Sequence, residues 1–511
     1  MHDLSLNRLL LAQVEKRPTK TALQFGDESL SYAELDRRAS QVARALLEQG
    51  IEPGDRVAYL GKNSIAYFEF LLGAAKARAI TVPISWRLAL PEINYVLGNS
   101  RAKLLLAEAP FDDIGITAPR LISGGEHDSY ARWRDARTAA RIDPQIDPSE
   151  PVLQLYTSGT TGQPKGVMLT HRSLFGLRAQ MDRLPEWWRW SADDVSLIAM
   201  PVAHISGTGW ALWTWQCGAT AIILRDFTPE ALFELMVQHR TTKIMLVPTA
   251  LQIAARHPRS REIDFSFLRC MYYGGAPLLP SLLKECATAF RCGFVQMYGM
   301  TETSGTVVAL APEDHVLTGG DRLNSVGKPL PGVELKIIDS AGRLLGAGVS
   351  GEVAIRSISN MAAYFEMPAA TASTLDADGW LRTGDIGYLD DDGYLFLQDR
   401  VKDMIISGGE NIYPTEVESA LSDHPAVEEV AAIGVPDDKW GESVKAFVVP
   451  AKGTHPSYEE LVAWAARRIA KFKLPRSIEF VSSLPRNHAG KILRRELRSR
   501  ATQETLNRSD A

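Results

Sequence analysis

The chain has 511 residues, a formal net charge of -5 and 45% hydrophobic residues, a balance that is ordinary for a globular protein with several cores. This length predicts two or more domains, and the mild acidity argues against a surface built throughout for nucleic acid. The four cysteines show neither CxxC metal spacing nor a disulfide framework, and the amino terminus lacks a secretory pattern, so we expect a cytoplasmic protein.

The first part of the chain alternates helical and strand patterns. "SYAELDRRASQVARALLEQG" has helical spacing and a glycine stop, and "DRVAYL" after it predicts a short strand. "AYFEFLLGAAKARAITVPI" repeats this order. Later apolar runs, "TKIMLVPT", "LRCMYYGG" and "FVQMYG", end in glycine or proline as buried strands do. The pattern predicts an α/β fold.

A polar loop, "YTSGTTGQPKG" at 156–166, predicts a phosphate cradle. Glycine lets backbone N–H groups approach an oxyanion, and hydroxyl and ammonium groups add donors. The Walker pattern does not fit, because Pro164 and Gly166 stand where it requires glycine and a serine or threonine. The candidate phosphate-binding residues are Thr157, Ser158, Gly159, Thr160, Thr161 and Lys165.

The segment between Asp194 and Arg225 contains no formally charged residue and is long enough to span a bilayer. Pro201, His204 and the "SGTG" run interrupt it, so it predicts a buried strand, a polar turn, an apolar helix, a turn and a strand. No transmembrane segment is expected. A buried helix of this composition predicts the wall of an apolar ligand pocket, formed by Trp210, Trp213 and Trp215.

The carboxyl-terminal part changes character twice. From about Pro329 the pattern predicts β-hairpins with glycine and acidic turns, and near Arg400 a small α+β domain begins. Within that domain "YEELVAWAARRIAKF" predicts a helix. The end of this domain is rich in basic residues, which is equally typical of a solvated surface and of a phosphate-binding patch. Its residues are Lys471, Lys473, Arg476, Arg486, Lys491, Arg494 and Arg495.

Five motifs occur in a characteristic order: "YTSGTTGQPKG", "YGMTET" at 298–303, "RTGD" at 382–385, "DRVKDMIISGGENIYP" at 399–414 and "GKILRREL" at 490–497. Together they resemble the acyl-adenylate-forming enzymes, the superfamily of acyl-CoA synthetases, peptide-synthetase adenylation domains and luciferases. The likeness spans nearly the whole chain. "DKWGE" around Trp440 and "KFKLP" around Phe472 look most like acid-CoA ligases of the medium-chain, aryl and short fatty-acid type.

The resemblance implies an α/β fold in which a large N-terminal adenylate-forming domain of several subdomains, residues 1–399, precedes a hinge at 400–402 and a small mobile α+β domain, 403–511. Lys402 would be the pivot. It also implies two reactions. An apolar carboxylic acid attacks ATP to give acyl-AMP and pyrophosphate, and CoA then takes the acyl group and releases AMP.

The resemblance further assigns the ATP site. The loop from Thr157 to Lys165 would hold the leaving phosphates. Asp385 and Arg400 would contact the ribose, and Glu302 with Thr161 would bind Mg²⁺. Gly274, Gly275 and Ala276 would border the adenine, with the Tyr298 ring against it. Gly299, Met300 and Thr301 would also belong to the ATP/AMP site. Alone, each of these motifs is also typical of ordinary turns after strands.

Lys491 would be the catalytic cation that stabilises charge on the α-phosphate. "NHAGK" departs from the family pattern at His488 and Ala489, while Gly490 and Lys491 remain. His204 would lie near the substrate carboxylate, and an equally weighted alternative makes it structural. It is not expected to act as a general base, because a carboxylate is already ionised at neutral pH.

The CoA site would use a narrow glycine path at Gly408 and Gly409 for the pantetheine arm. Trp440 would stack on the CoA adenine, and Phe472 and Lys473 would lie near its phosphates. Ordinary packing explains Trp440 and Phe472 equally well.

Three alternatives stay open at this point. The enzyme loads a carrier protein or another acceptor instead of CoA, or the chain is a catalytically silent nucleotide-binding regulator. "EWWRW" at 186–190 and the basic end favour a third reading, a peripheral membrane or scaffold protein. The sequence predicts neither the particular acid nor the oligomeric state.

Overall fold

The computed structural model describes residues 4–111, 119–124, 128–157, 164–276, 278, 280–315, 321–400, 403–407, 410–437, 440–469, 471–486 and 492–509. The chain forms two compact units. The first comprises Met1–Pro277, Lys284–Glu334 and Ile355–Leu381, and the second comprises Leu278–Leu283, Leu335–Ala354 and Arg382–Ala511. Among the described helices, none combines the length and the apolar character needed to cross a bilayer.

The strands are β1 Thr21–Phe25, β2 Glu28–Ser31, β3 Arg56–Leu60, β4 Ile80–Ile84, β5 Leu104–Glu108, β6 Arg120–Ser123, β7 Pro151–Thr157, β8 Lys165–Thr170, β9 Val195–Ile198, β10 Thr220–Ile223, β11 Lys243–Leu246, β12 Cys270–Gly274, β13 Gly293–Met300, β14 Gly305–Leu310, β15 Lys328–Pro329, β16 Val333–Ile338, β17 Gly351–Ser357, β18 Ala363–Tyr364, β19 Trp380–Leu389, β20 Leu395–Arg400, β21 Ile405–Ser407, β22 Glu410–Ile412, β23 Val427–Asp437, β24 Gly441–Pro450 and β25 Ser477–Phe480.

The α-helices are α1 Leu6–Lys16, α2 Tyr32–Glu48, α3 Ile65–Lys76, α4 Leu90–Ser100, α5 Ser129–Asp135, α6 His171–Phe175, α7 Ile205–Gln216, α8 Pro229–His239, α9 Pro248–Arg256, α10 Pro280–Phe290, α11 Pro368–Thr374, α12 Pro414–Ser422, α13 Tyr458–Ala465 and α14 Arg494–Ser509. Short 3-10 turns at Arg178–Arg183 and Thr301–Thr303 contribute to the candidate site.

A nine-stranded sheet of the first unit has the order β15-β14-β13-β12-β11-β9-β10-β1-β2. Its central strands β10, β9, β11, β12 and β13 pair in parallel, while β14 and β15 are antiparallel at one edge. Because parallel strands end on the same side of a sheet, the segments that follow β9, β11, β12 and β13 meet at one edge.

A seven-stranded sheet of the same unit has the order β18-β8-β7-β4-β3-β5-β6. Buried aliphatic residues of β3, β4 and β5 pack against Ile93 and Val96 of α4. At the other side of the sheet, β7 and β8 form an antiparallel pair, and β18 extends it along β8. The described ends of the predicted phosphate loop, Thr157 and Lys165, therefore belong to this strand pair.

The second unit contains most of a four-stranded sheet, order β16-β17-β19-β20, and a five-stranded sheet. The five-stranded sheet has the path β22-β21-β24-β23, with β25 pairing β24. Alternating side chains of β23 and β24 point to opposite faces, as strand geometry requires. One face packs on Leu421 of α12 and Leu461 of α13, and the other packs on Leu497 of α14.

The secondary structure agrees with most of the sequence predictions. The uncharged segment forms β9, a turn, the buried helix α7 and β10, as predicted. One prediction is wrong in extent: the helix predicted up to Phe472 ends at Ala465. A turn and the 3-10 segment Lys471–Lys473 follow it.

The packing of α2 on α3 gives a prediction for stability. A Cβ atom at Gly73 of α3 would lie 2.4 Å from Val42 Cγ1, so Gly73→Ala should lower the free energy of unfolding by about 1–3 kcal/mol. Gly98 of α4 is exposed and a Cβ there meets no atom within 4 Å, so Gly98→Ala should be neutral or stabilising by about 0.5–1 kcal/mol. Urea denaturation of both variants tests this, and equal effects would contradict it.

Candidate functional site

The carboxyl edge of the nine-stranded sheet is built from glycine-rich strand ends. Gly274 ends β12, and a Cβ atom there would lie 2.3 Å from the Met297 carbonyl oxygen of β13. Gly275 follows with φ +83°, in the left-handed region that favours glycine. Backbone packing alone therefore requires glycine here, and it leaves the strand ends bare of side chains.

A cavity of about 100 Å³ opens at this edge. The predicted ATP/AMP-binding residues Gly274, Gly275 and Gly299 line it together with the predicted acyl-pocket residue Trp210. The remaining lining residues are Arg178, Ile205, Ser206, Gly209, Trp213, Met245, Met297, Ser304, Gly305 and Thr306. Its wall is thus mixed, with aromatic and thioether side chains beside hydroxyl groups and exposed backbone.

An aromatic cluster supports the tryptophan side of the cavity. The Trp210 ring centroid lies 4.9 Å from that of Trp190 and 5.0 Å from that of Tyr272. Trp188 contacts Trp213 and Tyr272 at centroid distances of 5.6 and 5.4 Å. These edge-on contacts fix the rings, because an aromatic edge is attracted to the face of its neighbour. "EWWRW" is therefore core packing for Trp188 and Trp190, which are buried.

The predicted phosphate loop begins and ends at paired positions. Thr157 of β7 and Lys165 of β8 are directly opposite each other in the antiparallel register. The Lys165 ammonium lies 4.8 Å from the ring centroid of Tyr364, which belongs to β18. Ser158, Gly159, Thr160 and Thr161 lie outside the described residues.

Glu302 is buried in the 3-10 turn that follows β13, with 6% of its surface exposed. The Tyr364 hydroxyl donates to Glu302 Oε1 at 2.8 Å, and the Met361 N–H donates to the Glu302 carbonyl at 2.7 Å. Tyr364 therefore contacts both the predicted metal ligand and the predicted loop lysine. Among the residues that the structure describes, no group of three or more His, Cys, Asp or Glu side chains forms a metal cluster.

Asp385 lies on β19 and is 8% exposed. Its N–H donates to Thr383 Oγ1 at 3.1 Å, and that hydroxyl donates to the Val353 carbonyl at 2.8 Å. Asp385 and Arg400 are directly opposite each other in the β19–β20 register, so the two predicted ribose contacts are neighbours on the backbone. The Arg400 side chain lies outside the described part.

Trp440 precedes β24 and its N–H donates to Asp437 Oδ1 at 3.0 Å. The Arg476 guanidinium lies 5.2 Å from the Trp440 ring centroid. Ser407 of β21 is opposite Gly441 in the register, so the strand end before the predicted glycine path is beside Trp440. Gly408, Gly409, Lys402, Lys491 and the side chain of Phe472 lie outside the described residues.

Several cations of the predicted basic end are bound to glutamates. Lys473 contacts both oxygens of Glu416 at 2.8 and 2.9 Å. Arg494 contacts both oxygens of Glu418 at 2.6 and 2.8 Å, and Arg486 bonds to Glu429 at 2.9 Å. The basic end therefore carries less net positive charge than its sequence suggests.

The remaining predicted residues lie on or beside the strands and turns at the carboxyl edge of the nine-stranded sheet. His204 is the N-cap residue of α7, and its carbonyl accepts from the Gly207 and Thr208 N–H groups. Tyr298 and Met300 lie on β13, and Thr301 begins the 3-10 turn. Ala276 is half-buried after the β12 turn. The four cysteines, Cys217, Cys270, Cys286 and Cys292, are free thiols, and burial raises the pKa of the Cys270 and Cys286 thiols to about 12.

Sequence reasoning missed two residues. Tyr364 lies in "AAYFE", where no motif marks it, and only the β8–β18 pairing brings it to Lys165. Arg178 lies on the 3-10 segment after α6 and lines the cavity although it is 4% exposed. The residues around Arg178 in the sequence are both polar and apolar, so nothing there indicates that its side chain is buried.

Two family models match the chain. Residues 10–365 match the AMP-binding enzyme family, and residues 416–491 match the AMP-binding enzyme C-terminal domain. The chain therefore belongs to the AMP-binding enzyme family. This confirms the resemblance to acyl-adenylate-forming enzymes and the predicted α/β fold class.

The chain is also similar over most of its length to characterised proteins. It is 42% identical to the fatty acid–[acyl-carrier-protein] ligase ScoC of Streptomyces coeruleorubidus, over 95% of this chain and 94% of the relative. It is 38% identical to a feruloyl-CoA synthase of an Amycolatopsis species, over 98% and 100%. The structure of ATP-bound MatB from Rhodopseudomonas palustris aligns with a TM-score of 0.87 and 31% identity, over 96% and 98%.

Proposed function

We propose that this enzyme activates an apolar carboxylic acid with ATP to form an acyl-adenylate and pyrophosphate, and then transfers the acyl group to CoA. One observation carries the proposal: Gly274, Gly275 and Gly299 line the same cavity as Trp210. An acid held by Trp210 and a nucleotide held at the glycines are then adjacent, which is the proximity that the first reaction needs. The relatives named as ligases of CoA or of a carrier protein support the same chemistry.

In the first step an oxygen of the acid carboxylate forms a bond to the α-phosphorus, and the bond from that phosphorus to the bridging oxygen of pyrophosphate breaks. Negative charge grows on the α-phosphate oxygens, and the Lys491 ammonium offsets it. Lys165 and the hydroxyl groups from Thr157 to Thr161 hold the departing phosphates. His204 lies beside the acid carboxylate without taking a proton from it.

In the second step the thiol sulfur attacks the acyl carbon while the thiol loses its proton, and the bond to the AMP oxygen breaks. In this proposal the domain of residues 403–511 turns about Lys402 between the steps. It presents Lys491 for the first step and the path at Gly408 and Gly409 for the second. Trp440, Phe472 and Lys473 contact the CoA nucleotide, and Asp385 and Arg400 hold the ribose of ATP. A cytoplasmic location stays a prediction.

Glu302 fits the role of a Mg²⁺ ligand. Magnesium in nucleotide sites takes one or two protein carboxylates and otherwise binds phosphates and water, so a single buried carboxylate suffices. Tyr364 orients this carboxylate through its hydroxyl. When bound, the ion neutralises charge on the leaving phosphates.

A carrier protein is the second candidate acceptor. Lys473, Arg486 and Arg494, at the predicted CoA phosphate patch, are engaged by glutamates, which weakens the attraction for a free nucleotide. A pantetheine arm attached to a carrier protein has no such nucleotide to bind. The relative ScoC, named for ligation to an acyl carrier protein, favours the same candidate.

The deciding experiment measures pyrophosphate release with a panel of carboxylic acids, with and without CoA. The proposed function requires acid-dependent release and a CoA thioester as the product. Preformed acyl-adenylate is then offered to CoA and to a phosphopantetheinylated carrier protein in parallel. Faster transfer to the carrier would assign the acceptor to the second candidate, and absence of acid-dependent release would contradict both.

Lys491→Ala tests the catalytic cation. Adenylation should fall by about 100-fold or more, because removing one charge-stabilising donor typically has that effect. Thioester formation from supplied acyl-adenylate should stay near the parent rate, since that step has no α-phosphate transition state. Lys452→Ala, at an exposed lysine, serves as the control. Equal losses in both half-reactions would contradict the assignment.

Tyr364→Phe tests the support of Glu302. The variant keeps the ring beneath Lys165 but removes the donor to Glu302, so the Mg²⁺ concentration for half-maximal adenylation should rise by about tenfold or more. Tyr32→Phe removes a buried phenol that donates to the Ala219 carbonyl at 2.6 Å and should leave this requirement unchanged. An unaltered requirement in Tyr364→Phe would remove Tyr364 from the metal site.

Trp210→Ala tests the acyl pocket. Loss of the indole should shift kcat/KM towards longer or wider acids by about tenfold or more, because a pocket discriminates by the volume that it offers. Trp187→Ala is the matched control, since Trp187 is half-buried in the aromatic cluster but does not line the cavity. A substrate profile identical to that of the parent would show that Trp210 does not limit the acid.

A further inference from the structure

Arg178 is a buried cation in the wall of the cavity. Its guanidinium donates to the Leu174 carbonyl and, at 3.1 Å, to the Gly209 carbonyl, and it lies 4.9 Å from the Trp213 ring centroid. Its Nε has no hydrogen-bond partner among the described residues. No carboxylate is among the described residues that line the cavity.

This arrangement is costly for an arginine. Burial without a carboxylate partner lowers its pKa to about 9. Other buried cations of the same unit have acidic partners: Lys76 lies 2.8 Å from Asp36, and Lys243 lies 3.7 Å from Asp194. Arg178 differs from both, because the described residues give it only backbone oxygens and an aromatic face.

A structural role explains only part of the arrangement. The two carbonyls use two of the five guanidinium N–H groups, and an uncharged side chain of similar length would fill the same space without desolvating a charge. A second hydrogen-bond donor in the cavity wall also lacks an acceptor among the described residues. The Trp210 Nε1 atom is buried and has no acceptor among the described residues.

We propose that the acid substrate has an apolar carbon skeleton but carries, besides its reacting carboxylate, a second oxygen acceptor at its far end, and that Arg178 binds this acceptor. A second carboxylate is the form that Arg178 binds most tightly, because guanidinium and carboxylate match in charge and geometry. The apolar wall at Trp210, Trp213 and Met297 contacts the carbon chain between the two oxygen groups. The inference rests on the proposed adenylation and names its substrate class.

The test compares three acids on whichever carbon skeleton the acid panel shows to be activated best. For an aliphatic skeleton these are pentanoate, 5-hydroxypentanoate and glutarate. For an aromatic one they are 4-methylbenzoate, 4-hydroxybenzoate and terephthalate. The measured quantity is the ratio of kcat/KM for each oxygen-bearing acid to that of its hydrocarbon partner, taken from pyrophosphate release.

The parent enzyme should prefer an oxygen-bearing acid by about tenfold or more, the range of a hydrogen bond to a charged group. Arg178→Met should abolish this ratio, and Arg178→Lys, which keeps the charge without the planar fork, should restore part of it. Arg183→Met is the control, because Arg183 lies on the same 3-10 segment but is exposed. Preference for the dicarboxylate or for the hydroxy acid distinguishes the two acceptors.

Three results would overturn the inference. The parent prefers the hydrocarbon acids, Arg178→Met keeps the parent ratio, or Arg178→Met lowers all three acids equally. Equal lowering is the signature of a purely structural arginine. Thermal unfolding of each variant establishes that it is folded, and Arg178→Lys keeps the test decisive if Arg178→Met does not fold. If no acid in the panel supports pyrophosphate release, the proposed function itself fails and this inference falls with it.

Discussion

The parallel pairing of β9, β11, β12 and β13 is the constraint on which the candidate site depends. It brings the ends of four separate chain segments to one edge of a sheet, and the close strand packing there requires glycine at Gly274. The strand ends therefore present bare backbone next to the buried aromatic helix α7. In the proposed function, the flat base of the nucleotide and the carbon skeleton of the acid use both properties of that edge.

The seven-stranded sheet contributes one tyrosine, Tyr364, to the candidate site. Tyr364 of β18 reaches Glu302 with its hydroxyl and Lys165 with its ring face, so an acidic and a basic group of the site are held by one side chain. One neutral side chain thus contacts both the loop lysine and the buried glutamate.

The sequence predicted much of this arrangement because its cues are local. Helical spacing located α2, apolar runs located β11 to β13, and the ordered motifs indicated Glu302 and Asp385. It did not predict Tyr364 or Arg178, because their importance comes from residues distant in the chain. Tyr364 is 62 positions from Glu302, and Arg178 reaches Gly209 across 31 positions. Helix ends are also hard to predict from local patterns, because helix termini fray and often continue as turns or 3-10 segments, as the early end of α13 shows.

Arg178 differs from the carboxylate-paired cations of both units, and the difference has a physical meaning. In the second unit Lys473, Arg486 and Arg494 lie partly exposed and are matched by glutamates, an arrangement that solvent makes inexpensive. In the first unit Arg178 is almost fully buried, and the described residues offer it only backbone dipoles and a ring. A buried cation is tolerated at such a cost when a ligand supplies the missing acceptor. The guanidinium is already desolvated before the ligand binds, so the ligand gains the full electrostatic interaction. The contrast between Arg178 and the paired cations therefore supports the proposal that the substrate supplies the partner of Arg178.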